Sequence, residues 1–320
     1  MQVRELNRPQ FVNPVQITTP ERQQRRKAHL MSFLTKGLPT MPGFVFELNT
    51  LLSAPSVDLK KVARVIRNDP SMSAQIIRAC NSALFSLRRR VLSIEEAAVL
   101  MGAERLRTLV LTCSVMDLTG KQLSKSEVQT FWQHSFMTGM LSERIAKWLE
   151  YPECEQAYLG GLLHDIGMLP LLVIATEEKS LGTASRRPWG DSLESEQAYF
   201  GLDHCEVGRW IGQSWNFFPS FIDVFENHHH PDRGARDPHL VGIVAIADRF
   251  CEARSLASSS EEDALTSPDA AVDDEWMAQC LPRLDVDERV GLAEMLETEY
   301  LHLLPLLELS TPAAPVTGST

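Results

Sequence analysis

The 320-residue chain is predicted to be all-α. Three observations carry that reading. Apolar residues recur at intervals of three and four along most of its length, helix start and stop signals divide those stretches, and no segment sustains the period-two alternation of a strand bounded by turn residues.

The elements follow in order. Residues 1–35 read as an N-terminal arm with a helix, whose basic cluster Arg22, Arg25, Arg26, Lys27 is expected to be a solvated helix face, or otherwise a contact for phosphate or an acidic partner. Stripes then run through Phe44-Val45-Leu48-Leu51-Leu52, Leu59-Val62-Ala63-Ile66 and Met72-Ile76-Ile77-Ala79. Asp69-Pro70 offers a cap with proline at the first helical position, Ser93-Ile94-Glu95-Glu96 reads as a capping box, and Gly102 can end the helix that the box begins. A longer apolar helix follows from Glu104 to about Leu118, so residues 36–118 are expected to form one helical bundle.

Thr119-Gly120 and the polar KQLSKSE mark a hinge to a second bundle over 127–252. A helix over 127–149 carries Phe131, His134, Thr138, Leu141, Ile145 and Trp148 on one face, which points His134 inward. Residues 253–275 are polar, acidic and poor in aromatics, as expected of a linker. A helical extension over 276–309 follows, with Trp276, Met277, Val290, Leu292, Leu296 and Tyr300, and then a disordered tail over 310–320.

Composition excludes several classes. At 44% hydrophobic and 23% charged residues, the chain suits a soluble globular protein with a sizeable core. It has no run of about 18 apolar residues, and MQVRELNRPQ lacks the order of a secretory signal, so a cytoplasmic protein that does not engage a membrane is expected. Six scattered cysteines without a C-x-x-C pair read as reduced, mostly buried thiols. The net charge of −11 resides in residues 252–300, which hold 14 Asp/Glu and 3 Lys/Arg. The rest is nearly neutral, which argues against general nucleic-acid binding.

Seven candidate metal ligands are spread over the second half: His134, His164, Asp165, His204, His228, His229 and Asp248. Each lies on, or at the end of, an apolar helical stripe, where an imidazole or carboxylate is expensive unless satisfied. Any one histidine reads more simply as a satisfied core residue, and a helix C-terminus attracts imidazoles through its dipole. That dipole could explain one of His228-His229-His230, hardly three. His229 is expected on the buried stripe Phe218, Phe221, Ile222, Phe225, and Asp248 on Val241, Val244, Cys251. Adjacent helical residues point about 100° apart, so His164 and Asp165 share a metal only from near a helix end, and Cys205 is expected to face away from His204. Imidazole and carboxylate ligands without thiolate suit one or two ions of Fe, Mn, Zn or Ni. A carboxylate of Asp165 between two metals suits the activation of water against a phosphoester.

The order His134, His164-Asp165, His204, His228-His229, Asp248, in segments reading LLHDIG, HCEVG and HHHP, resembles the HD superfamily of metal-dependent phosphohydrolases. LPTMPGFVFELNTLL, VARVIRNDPSMSAQIIRACNSALF and SIEEAAVLMGAERLRTLVL are similar to the HDOD domain of bacterial signalling proteins, over about Leu38 to Asp248. The resemblance implies an N-terminal helical bundle packed on an HD-like bundle. It also implies a signalling protein acting through a protein partner, with the N-terminal bundle as interaction surface. The alternative is an active phosphohydrolase on a nucleotide or cyclic nucleotide. In that case His134, His164, Asp165 and Asp248 would hold one metal and His204, His228 and His229 a second. A third reading is a metal-free hydrogen-bonded network, in which every buried polar atom must be satisfied internally. Departures from the related HD-GYP enzymes are Met168 in place of a lysine, PDRGARDP in place of the GYP segment, and Thr130 one turn before His134. Asp69, Asn81 and Ser82, in the family's most recognisable stretch, are expected to act as caps and interhelical hydrogen-bonding groups.

Overall fold

A computed structural model describes residues 19–37, 43–52, 54, 56–68, 70–80, 91–119, 123–179, 192–215, 217–258 and 274–310. Every regular element among them is a helix, so the predicted fold class holds. Asp69, Asn81 and Ser82, and much of the expected linker and tail, lie outside the described residues.

Capping sets the boundaries. Helix α1 (Pro20–Ser32) starts on Thr19, whose hydroxyl accepts the N–H of Arg22, with Pro20 supplying the favoured first-position ring. Helices α2 (Gly43–Leu52), α3 (Leu59–Arg67) and α4 (Pro70–Cys80) pack together against α5 (Ile94–Thr119). Asp58 caps α3 by accepting from Lys60 and Lys61. Ser93 accepts from Glu96 N–H, and the Glu96 carboxylate accepts from Leu92 N–H. Gly102 breaks α5 into two helical pieces with φ 71°, as its position in the sequence suggests.

The second bundle opens with α6 (Lys125–Trp148), capped by a reciprocal Ser124–Glu127 pair. It lies along α7 (Cys154–Leu163), followed by α8 (Met168–Lys179), α9 (Leu193–Phe200), α10 (His204–Ser214), α11 (Pro219–Asn227) and α12 (Pro238–Ser258). Trp148 was expected on the buried face of α6 but is 37% exposed, with its ring edge against Gly291. The apolar segment Cys154–Glu178 is long enough by composition to cross a membrane, yet 89% of its most apolar window is buried inside the protein. A four-residue turn at 164–167 divides it.

Helix α1 does not stand apart as an arm. It packs on α8 and α9 of the second bundle. Arg26, expected to be solvated, donates from Nε to both carboxylate oxygens of Glu178, at 2.8 and 3.1 Å, and lies 3.5 Å above the Tyr199 ring. Gln23 donates to Gln197 O at 2.7 Å. At the other end, α13 (Asp274–Cys280) and α14 (Val286–Ser310) pack on α12 and α6, tied by Arg144–Glu299 and Arg254–Glu297.

Candidate metal centre

Five elements of the second bundle deliver the seven predicted side chains to one place. His134 comes from the middle of α6, His164 caps the C-terminus of α7, and Asp165 occupies the turn before α8. His204 opens α10, where Asp203 and Glu206 form a capping box. His228 caps α11, His229 follows it, and Asp248 projects from α12. The turn carrying Asp165 is pressed against the start of α10. A Cβ on Gly167 would collide with the carbonyl oxygen of His204 and lie 2.5 Å from Gly208 N, so only glycine permits this approach.

Two groups of donors meet at Asp165. On one side, His134 Nε2 and His164 Nε2 are 3.3 Å apart and lie 3.0 and 3.1 Å from Asp248 Oδ1, with Asp165 Oδ2 at 3.9 and 3.6 Å. On the other, His204 Nε2 and His228 Nε2 are 3.2 Å apart, with Asp165 Oδ1 at 3.3 and 3.5 Å. His164, His228 and Asp248 also lie close enough to share an ion, so the groups adjoin.

The remaining hydrogen bonds fix which ring nitrogens face inward. His164 Nδ1 donates to Gly161 O at 2.7 Å, His228 Nδ1 to Val224 O at 3.0 Å, and His204 Nδ1 to Glu196 Oε2 at 2.8 Å. Each ring therefore turns its Nε2 lone pair toward the centre. Two such lone pairs 3.2 Å apart repel unless a proton or a metal cation stands between them. Asp165 Oδ1 is buried and no hydrogen bond of proper geometry reaches it, which is costly in a metal-free network. Donors around a tetrahedral ion with M–N of about 2.05 Å are about 3.4 Å apart. The observed spacings of 3.0 to 3.6 Å fit that requirement, and the separation of His134 Nε2 from Asp165 Oδ2, 3.9 Å, is longer.

Electrostatics without an ion agree. Burial opposes charge on His164, but Asp165 and Asp248 push it up to about 9. Burial likewise opposes charge on His204, but Cys205, Asp165 and Glu196 raise it well above the usual imidazole range. Burial works against the carboxylates too, yet the surrounding imidazoles hold Asp165 and Asp248 well below the ordinary carboxylate value. Burial lowers His228, helped by charge on His164 and His204, and with His228 it brings His229 down to about 3. Protons on His164 and His204 thus do the neutralising that a divalent cation would do.

Two expectations need correction. Cys205 faces the centre, not away, with Sγ 3.5 Å from His204 Nε2. Both residues sit in the first turn of α10, at a helix end, where the lateral separation of adjacent side chains does not keep them from one point. The α11 stripe is also displaced. Phe218 is 40% exposed, and the buried series is Phe221, Val224, Phe225, His228. The helix stops at Asn227, so periodicity does not set the direction of His229, whose side chain is 26% exposed and 3.9 Å from Asp248 Oδ2.

Sequence reasoning missed two supporting carboxylates. Glu196, on the eight-residue α9, holds His204. Asp223, buried in α11, accepts the backbone N–H groups of Ala235, Arg236 and Asp237 and so ties down the PDRGARDP segment. Neither helix shows a periodicity that singles out these positions. Thr130 is exposed, and Met168 is buried at 2% exposure.

Comparison with known proteins places the fold. The HDOD domain model matches residues 38–231, which leaves Asp248 beyond its end. An HDOD domain protein of unknown function from Geobacter sulfurreducens superposes with a TM-score of 0.65 at 23% identity, covering 90% of this chain and 98% of that one. A candidate phosphohydrolase from Shewanella amazonensis SB2B gives a TM-score of 0.61 at 25% identity, covering 90% and 99%. An uncharacterized protein of Treponema pallidum (strain Nichols) is 25% identical over 219 residues, which is 66% of this chain and 41% of that relative's length.

Proposed function

This chain belongs to the HDOD domain family, and on that premise we propose that it is a cytoplasmic regulatory protein of signal transduction whose second bundle holds one or two divalent transition-metal ions and which acts through a protein partner. One observation carries the metal reading: four inward-facing Nε2 atoms converge on Asp165, whose Oδ1 accepts no hydrogen bond. A bound cation supplies Lewis acidity at that point. The chain's own residues do the rest. Gly161 O, Val224 O and Glu196 hold the rings in their ligand tautomer, and the burial of His164, His204, His228 and Asp248 keeps bulk water from them.

Met168 favours regulation over turnover. The related HD-GYP enzymes carry a lysine at this position, and its loss removes a charge-assisted contact of about 1.5–3 kcal/mol. Here the position is buried, so a lysine could not be accommodated without burying its ammonium or shifting α8. The other reading, a phosphohydrolase acting on a nucleotide or cyclic nucleotide, is favoured by the two oxygens of Asp165 facing separate donor groups, an arrangement suited to two metals.

The test is metal content per chain by plasma mass spectrometry, on protein purified without a metal affinity column, for the parent and Asp165→Ala. One or two equivalents of Fe, Mn, Zn or Ni in the parent, and affinity at least about tenfold lower in the variant, are expected. A chain that stays empty after reconstitution overturns the metal reading. Phosphoester turnover that tracks metal content would transfer the conclusion to the hydrolase.

A further inference from the structure

We propose that Cys205 is a ligand of this centre, making its His204 side a mixed imidazole and thiolate site. The proposal rests on the metal reading above and adds to it a donor of different chemistry. Cys205 Sγ and one ring nitrogen each of His204, His228 and His229 lie within 4.8 Å of one another, and the thiol is buried. The separation from His204 Nε2, 3.5 Å, matches the edge of about 3.6 Å between a thiolate at about 2.3 Å and an imidazole at about 2.05 Å from a tetrahedral ion. A second observation points to a ligand at the same place. Asp165 Oδ1, buried and without a hydrogen bond, lies 3.3 Å from His204 Nε2.

The position of Cys205 makes the chemistry reasonable. It lies in the first turn of α10, where the helix dipole favours an anion, and a bound cation would offset the cost of a thiolate at this buried position. On binding, the thiol releases its proton to solvent as the metal–sulfur bond forms. The thiolate changes what the site selects. A pocket of imidazole and carboxylate alone accommodates Mn as well as Zn or Fe, whereas a sulfur donor biases it toward Zn, Fe(II) and Co(II). The simpler account is a neutral thiol hydrogen-bonded to the His204 ring, with sulfur never touching an ion.

Cobalt(II) distinguishes the two. The full chain, kept reduced and anaerobic, would be titrated with Co(II) and followed by absorption. Visible d–d bands together with a near-ultraviolet thiolate-to-cobalt band are expected. In Cys205→Ser the near-ultraviolet band should vanish while visible bands remain, and affinity on this side should drop at least about tenfold. Cys205→Ala serves as a second variant, with circular dichroism confirming the fold of each. Visible bands without the near-ultraviolet band in the parent, or a near-ultraviolet band that survives in both variants, would overturn Cys205 as ligand and leave the metal reading standing. A parent chain that takes up no cobalt, zinc or iron overturns both.

Discussion

Glu196 Oε2 accepts two hydrogen bonds from His204, one from its backbone N–H and one from its ring Nδ1–H, each at 2.8 Å. One carboxylate thereby satisfies an orphan N–H at the start of α10 and sets the ring so that Nε2 faces Asp165.

Glu196→Ala should therefore weaken metal binding by about 10–100-fold, and Glu196→Gln should recover part of the loss, because its amide oxygen can still accept. Competition against a chromophoric chelator reads this directly. Unchanged affinity in the alanine variant would confine Glu196 to a role in folding.

Gly167→Ala tests the approach of the turn to α10. The added methyl group meets the His204 carbonyl and Gly208 N, backbone that cannot swing aside as a side chain can. A loss of about 3 kcal/mol or more in urea unfolding of the metal-free chain is expected. A loss below about 0.5 kcal/mol would show that the turn and α10 can part without cost.

The metal-free chain should lose stability on going from pH 6.5 to about 9, because the folded-state value of His164 is raised to about 9. A raised imidazole contributes stability that is complete below its unfolded value near 6.5 and is lost as pH climbs through the folded one. His204 acts in the same direction. His228 and His229, both lowered, act on the acid side, where unfolding lets them take up protons. Melting temperatures in chelator across this range check the sign, and stability that rises toward pH 9 would contradict it. Added metal should flatten the profile, since it replaces the protons.

Arg26→Ala should release α1 from α8 and α9, at a local cost of about 1–2 kcal/mol. The guanidinium is largely buried, although Glu178 is more open, which keeps the figure modest. Hydrogen exchange over 20–32 is the measurement. Arg26→Lys should restore protection only in part, because an ammonium can donate to Glu178 as Nε does but cannot stack its plane on Tyr199. Protection unchanged in both variants would mean that apolar packing alone, through Leu30 and its neighbours, holds the helix.

The amino-acid sequence alone determined the all-α class, the cap at Ser93, the break at Gly102 and the seven side chains that converge on the centre. These are local matters. A cap depends on residues three apart, a stripe on residues three and four apart, and an imidazole on an apolar face is conspicuous without knowing its partner. The tertiary structure alone decided that Asp165 stands between two donor groups, that Glu196 holds His204, that Cys205 faces inward, that Arg26 pins α1 to the second bundle, and that His228 rather than His229 is the fully buried imidazole. Each depends on where separate helices cross or end. His134 and Asp248 meet across 114 positions of chain, and His228 lies just past the end of α11. Periodicity says nothing about a residue beyond the last turn, nor about which helices will cross.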